Sequence, residues 1–214
     1  FGDRGGNFTV QNSDLILSIG SRLSVPQVGY NFPLFARAAK KIIVDIDSTE
    51  LNKPSLKPDL PIQADAREFM VELLAQLKNA QSFEISDWLQ RCQGWKLKYP
   101  VVLPEYKECK DAVNSFYFIE TLSEKLDKNA VIVTDMGTSF TCTMQTFKTK
   151  LGQRLSTSSG HASMGFGLPG AIGACIGNNR KDTICISGDG GLQMNIQELQ
   201  TIVHYNLPIK LFVL

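Results

Sequence analysis

Thr183-Ile184-Cys185-Ile186-Ser187-Gly188-Asp189-Gly190-Gly191-Leu192-Gln193-Met194-Asn195 is the stretch that decides the reading. An apolar run of strand length passes into a loop with three glycines and one aspartate, and a helical pattern follows from Asn195. In a doubly wound α/β sheet, ligands bind outside the carboxyl ends of the strands. Glycines at such a place let backbone N–H groups approach an anion, and the next helix start adds partial positive charge that suits phosphate. Asp189 alone would repel phosphate. It becomes useful when it holds a Mg²⁺ that bridges to the phosphate oxygens. The loop therefore reads as a diphosphate site with a metal. Two readings compete with it: a plain turn, because Asp and Gly both tolerate left-handed conformations, and a receiver-type aspartate, although no second acidic residue stands beside Asp189.

Outward from this stretch the chain keeps an α/β rhythm. Residues 14–19, 42–47, 130–134, 183–187 and 209–214 read as strands. Residues 35–40, 66–78, 87–98, 115–126, 163–176 and 195–205 read as helices; in 66–78, Phe69, Leu73, Leu74 and Leu77 share one face. The expected class is α/β, with two doubly wound parallel-sheet domains, the second truncated. Pro100 and Pro104 mark a linker between them. The first residue is Phe1, and the last, Leu214, closes an apolar run that reads as a buried parallel strand with nothing after it. A longer parent polypeptide is expected on that ground.

Composition narrows the function classes. The 214 residues are 43% hydrophobic and 20% charged, as in soluble globular domains. Basic and acidic residues number 22 and 21, so no charge surplus points to nucleic acid or an anionic membrane as partner. No apolar run reaches the roughly 18 residues a membrane span needs, and no signal-peptide pattern opens the chain. Cys92, Cys109, Cys142, Cys175 and Cys185 are odd in number and lack CxxC or Cys/His metal spacing. Free thiols in a reducing, cytoplasmic setting are expected, with Cys175 and Cys185 as small core residues.

A second glycine-rich segment lies upstream, Ser156-Thr157-Ser158-Ser159-Gly160-His161-Ala162-Ser163-Met164-Gly165-Phe166-Gly167, and Gly170, Gly173 and Gly177 follow. Glycine costs about 1 kcal/mol relative to alanine inside a helix. Several together mean that the backbone passes close to another element or to a ligand.

Taken together, Ser163-Met164-Gly165-Phe166-Gly167-Leu168-Pro169-Gly170-Ala171 and Gly188-Asp189-Gly190 resemble the diphosphate-binding domain of thiamine-diphosphate enzymes, with the nearest resemblance to the acetolactate synthase group. The resemblance covers nearly the whole chain. It implies part of a middle Rossmann-like domain over residues 1–80, a linker over 81–110, and the N-terminal part of the diphosphate-binding domain over 111–214. Asp189 is implied as a Mg²⁺ ligand, with Gly188, Gly190 and Gly191 around the diphosphate. Met164, next to Ser163, takes the place of the bulky apolar residue that props the cofactor in a bent shape; the carbonyl of Ala162, where the family usually has glycine, faces the cofactor's amino group. Gly137, Thr138 and Ser139 lie where the family also touches the diphosphate. Acetolactate synthases often carry Gln-His after that glycine, and the hydroxyls here are closer to some decarboxylase relatives. Met194 reads as core.

In the first half, Gly20-Ser21-Arg22, Asp45-Ile46-Asp47 and Asp65 match segments that hold FAD in acetolactate synthases, while Leu23-Ser24-Val25-Pro26 replaces the usual Phe-Asp-Asp-Arg. Many relatives keep this domain without a nucleotide. The resemblance implies a parent enzyme that decarboxylates 2-oxo acids and joins the fragment to an acceptor, working as a dimer or tetramer. Alternatives are a simple 2-oxo-acid decarboxylase and a non-catalytic nucleotide-binding module. The family's activating glutamate and the asparagine pair that completes its metal motif fall outside this chain, so no catalytic residue is assigned. His161 is weighed as a substrate-facing residue against a local hydrogen-bonding one, and His204 reads as structural.

Overall fold

The computed structural model describes residues 2–78, 80 and 83–214. Phe1, Asn79, Gln81 and Ser82 lie outside the described residues, and with them the expected domain boundary at 80/81 and part of the polar stretch at 79–86. The chain forms two compact units that divide after Pro100. Both are α/β with parallel sheets.

The first unit contains α1 (Arg4–Asn12), β1 (Leu15–Ile19), α2 (Val25–Val28), β2 (Lys40–Asp45), α3 (Ser48–Leu51), β3 (Leu60–Gln63), α4 (Ala66–Leu77) and α5 (Ser86–Lys98). Its three strands run in the order β1-β2-β3. Ile43 of β2 packs with Val28, Phe35, Ala36, Ala39, Leu51 and Leu56. Residues 35–40 do not form the expected helix. Ala36 has φ +43, its N–H is accepted by the Gln11 side chain at 3.1 Å, and Lys40 already starts β2. The apolar spacing there reflects burial of Phe35, Ala36 and Ala39 in the core, not a helical face. The strand expected at 42–47 instead ends at Asp45, whose carboxylate accepts the Asp47 N–H at 3.0 Å and turns the chain into α3. α5, inside the stretch expected as linker, packs on α1: a Cβ on Gly5 would stand 3.1 Å from Lys96 Cα, and Phe8 meets Tyr99 at a centroid distance of 5.1 Å.

The second unit runs through a 3-10 turn (Pro104–Lys107), α6 (Ser115–Lys125), β4 (Val131–Thr134), α7 (Thr138–Thr146), β5 (Arg154–Thr157), α8 (Gly167–Gly177), β6 (Thr183–Ser187), α9 (Asp189–Met194), α10 (Glu198–His204) and β7 (Ile209–Val213). The sheet order is β5-β4-β6-β7. β4 and β6 are buried along their whole length, as interior parallel strands are when helices cover both faces. Alternate side chains sort accordingly. Ile132, Ile184 and Ile186 pack with Ile119 of α6 and Cys142 of α7, whereas Val133 and Cys185 pack with Leu168 and Ala171 of α8. From β4 the chain crosses to β5 through α7 and returns to β6 through α8, so the strand order reverses between β4 and β6. The crevice outside their carboxyl ends is the topological switch point. Among the described residues no helix is long and apolar enough to cross a membrane.

Candidate functional site

β4 and β6 are in register from Val131 opposite Thr183 to Thr134 opposite Ile186, so Asp135 and Ser187 stand side by side where the strands end. Asp135 N–H donates to the Ile186 carbonyl at 2.8 Å. Its side chain turns inward and is 1% exposed. Oδ1 accepts the Met136 N–H at 2.7 Å and the Gly165 N–H at 3.1 Å. Oδ2 accepts Gly165 N–H at 3.2 Å, Gly167 N–H at 3.1 Å and the Ser187 hydroxyl at 3.1 Å. No cation pairs with this carboxylate among the described residues; hydrogen bonds from neutral donors compensate its burial.

Asp135 explains much of the glycine content. A Cβ on Gly167 would stand 2.8 Å from Asp135 Cβ, and one on Gly191 2.6 Å from Asp135 Oδ2. The close approach expected of these glycines is to a side chain of the sheet. Gly165, at φ +88, precedes α8; its carbonyl accepts Asn195 Nδ2 at 2.8 Å. The turn before Gly167, expected to be helical from residue 163, is therefore held open by side chains.

Around this centre the expected site residues take distinct places. Gly137 (φ +80) and Gly188 precede α7 and α9, and neither can cap its helix with a side chain. Both helix starts thus lack an N-cap side chain, and they lie at neighbouring strand ends, about 4.8 Å apart in a sheet. Thr138 is exposed at the first turn of α7. Ser139 is buried and its hydroxyl donates to the Met136 carbonyl at 3.0 Å, which commits it to the fold instead of phosphate. Asp189 is exposed, and Oδ1 accepts the Gly190 N–H at 2.7 Å, so the carboxylate lies against the glycine bend and outside the core. Gly190 N–H is thereby engaged locally. Met164 is 54% exposed, and its Cε lies 3.2 Å from where a Gly190 Cβ would stand. Ala162 and Ser163 are exposed, with Ala162 at φ +57, a backbone that glycine adopts more easily. His161 is exposed in the same loop. Met194, expected in the core, is 60% exposed.

Asp135, Ser187 and Asn195 escaped the sequence reading. Their signal is an acidic residue directly after an apolar strand, facing a serine at the end of the next, which becomes visible only once the strand pairing is known. Burial, together with the Asp135 charge, pushes the Cys185 thiol up to about 12.

The groups that the resemblance implies fit these residues unequally. Two uncapped helix starts and an exposed carboxylate fit a diphosphate and a Mg²⁺, an ion that takes one or two carboxylates and fills its shell with water and phosphate oxygens. Among the described residues no three His, Cys, Asp or Glu side chains cluster as a metal cage. The FAD residues do not fit in the same way. Asp47 accepts the N–H and hydroxyl of Thr49, which hold its carboxyl below the ordinary value. Asp65 caps α4 by accepting Arg67 and Glu68 N–H. Arg22 donates to Glu50 at 2.9 Å, and its hydrogen bond, with that from Lys53, lowers the Glu50 carboxyl.

Comparison with known proteins follows the same division. Residues 1–73 match the family described as thiamine pyrophosphate enzyme, central domain, and residues 135–214 match thiamine pyrophosphate enzyme, C-terminal TPP binding domain. Similar curated proteins include the acetolactate synthase large subunit of Cyanidium caldarium, 37% identical over 97% of this chain and 35% of that protein. Acetolactate synthase 1, chloroplastic, of Nicotiana tabacum is 36% identical over 97% of this chain and 31% of its own length. The acetolactate synthase isozyme 1 large subunit of Escherichia coli K12 is 35% identical over 100% of this chain and 36% of its own. The chain thus spans about a third of the length of these relatives. With the carboxyl-end crevice of its second unit and both matches in place, the chain belongs to the thiamine pyrophosphate enzymes, whose central and C-terminal TPP-binding domains supply its two parts.

Proposed function

We propose that the chain is the part of a 2-oxo-acid enzyme of acetolactate-synthase type that holds the diphosphate end of thiamine diphosphate. The observation that carries this is the pair of uncapped helix starts at Gly137 and Gly188, side by side at the switch point, with the Asp189 carboxylate exposed beside them. Asp189 holds Mg²⁺; Gly188, Gly191 and Thr138 face the phosphates; Met164, flanked by Ala162 and Ser163, supports the thiamine rings. Gly190 contributes by leaving room for Met164. The bound cofactor supplies an electron sink beside a carbonyl, and the protein supplies position and electrostatics. FAD is not part of the proposal, because its expected acceptors serve as caps and ion pairs. Five free cysteines support a reducing, cytoplasmic setting. Assembly of the full-length chain into a dimer or tetramer is included, supported by Met70, Val71, Leu74 and Leu77, which α4 leaves exposed.

Calorimetric titration of thiamine diphosphate into the full-length protein with Mg²⁺ tests the reading. Binding that needs Mg²⁺ and falls in Asp189→Ala supports it. Equal binding by the variant removes the metal role, and no binding leaves a non-catalytic module. Product analysis with pyruvate then separates carboligation from simple decarboxylation.

A further inference from the structure

The Gly165 peptide is gripped from both directions. Its N–H is bound by Asp135, 30 positions earlier, at 3.1 and 3.2 Å, and its carbonyl by the side-chain amide of Asn195, 30 positions later, at 2.8 Å. Met194 Cβ closes the remaining side, 2.8 Å from where a Gly165 Cβ would stand. Asp135 is sealed behind the strand ends, whereas Asn195 is half-buried, its amide nitrogen on the glycine carbonyl and its oxygen accepting Gln197 Nε2 at 3.3 Å. Met164, the residue just before, is half-exposed and rests against Gly190. Its backbone leads directly into the Gly165 peptide that these contacts hold.

We infer that Asp135 and Asn195 act as a clamp of positioning residues: by fixing the Gly165 peptide they set where Met164 stands, and so how the thiamine end of the cofactor is supported. The inference rests on the thiamine-diphosphate reading. Both Asp135 oxygens accept backbone N–H groups, so an amide there turns its NH₂ toward an N–H donor in either orientation. Asp135→Asn therefore loosens the turn with almost no change of volume. Inorganic pyrophosphate has no thiamine rings and makes no demand on Met164.

The test is a double-mutant cycle in the full-length protein, read as calorimetric Kd with Mg²⁺ for thiamine diphosphate and for inorganic pyrophosphate. Asp135→Asn is expected to raise the Kd of thiamine diphosphate about ten-fold, and by less than about three-fold when Met164 is already Ala. The pyrophosphate Kd is expected to stay within about two-fold. Equal loss in both Met164 backgrounds, or a loss for pyrophosphate as large as for thiamine diphosphate, overturns the clamp and leaves Asp135 with a folding role only. Should Asp135→Asn not fold, Asn195→Ala frees the other end of the same peptide and is judged by the same outcomes. Wild-type protein that binds thiamine diphosphate while the cycle is additive sinks the clamp alone; wild-type protein that does not bind it sinks the cofactor reading, and the clamp with it.

Discussion

Met164 precedes α8 and Gly190 lies in the first turn of α9, yet the Met164 methyl lies 3.2 Å from where a Cβ on Gly190 would stand. One position on, the same test at Gly191 meets the Asp135 carboxylate, at 2.6 Å from Oδ2 and 2.8 Å from Cγ. Two adjacent glycines thus face neighbours of opposite character, a flexible exposed chain end and an immobile buried carboxylate.

Gly190→Ala is expected to leave stability within about 1 kcal/mol of wild type, since Met164 can swing aside and alanine is the better helix former. Gly191→Ala is expected to lower stability by about 2–3 kcal/mol, because the carboxylate has no room to move. Urea midpoints of the two variants give the comparison; equal values would show that the Asp135 contact does not constrain residue 191.

Ala162 sits in the left-handed region at φ +57 on an exposed loop. That backbone disfavours alanine by about 1–2 kcal/mol, and the extra freedom of glycine in the unfolded chain offsets part of the relief. Ala162→Gly should raise stability by roughly 0.5 kcal/mol in denaturant titrations. A drop would mean that the loop takes another conformation in solution.

Asp65 separates a cap from a ligand. Its Oδ1 accepts Arg67 N–H at 2.8 Å and Glu68 N–H at 3.4 Å at the start of α4. Asp65→Ala should lose about 1 kcal/mol and Asp65→Asn only a few tenths, because asparagine caps helices about as well as aspartate. Thermal unfolding of both variants reads this. Similar losses for both would argue that charge matters at this position, as it would for a ligand.

For Cys185 the sign of the pH effect follows from burial. The thiol ordinarily ionises near 9.0, and in the fold it is pushed up to about 12. Below pH 9 the thiol is protonated in both states and its contribution is fully present. Between about 9 and 12 the unfolded chain gives up its proton first, so stability falls as pH rises. Cys185→Ala should show a shallower alkaline decline than wild type in urea midpoints taken from about pH 8 to about pH 10.5. In the native protein a thiol reagent should label exposed Cys109 first, with Cys142, Cys175 and Cys185 reacting only on unfolding.

Much of the second unit was legible in the sequence, for identifiable reasons. β4 and β6 are apolar runs bounded by polar turns, and burial of both faces leaves that pattern undiluted. α6 announces itself through Asn114, which caps it by accepting Phe116 and Tyr117 N–H. α7 left no such trace: Thr-Ser-Phe-Thr-Cys-Thr-Met-Gln-Thr is rich in residues of middling helix propensity, and packing against α6 and β4 overrides it. α9 was hidden by two glycines in its first turn, α1 by Gly5 and Gly6, and β5 by its brevity and serine content. The missing α7 also concealed why Gly137 matters as a helix start. At the candidate site, the exposed glycine bend around Asp189 was legible because its surroundings are local in sequence. Asp135 could not, because its partners at Gly165, Gly167 and Ser187 lie 30 to 52 positions away.

Pinning Gly165 from both sides fixes Met164 and gives the loop before it a firm exit point. Residues 158–163 run from the end of β5 toward that anchored point, and His161, Ala162 and Ser163 among them are exposed. A foreign loop of equal length grafted there would enter and leave through unaltered attachment points, so the segment can serve as an exchangeable cassette while the sheet beneath keeps its shape.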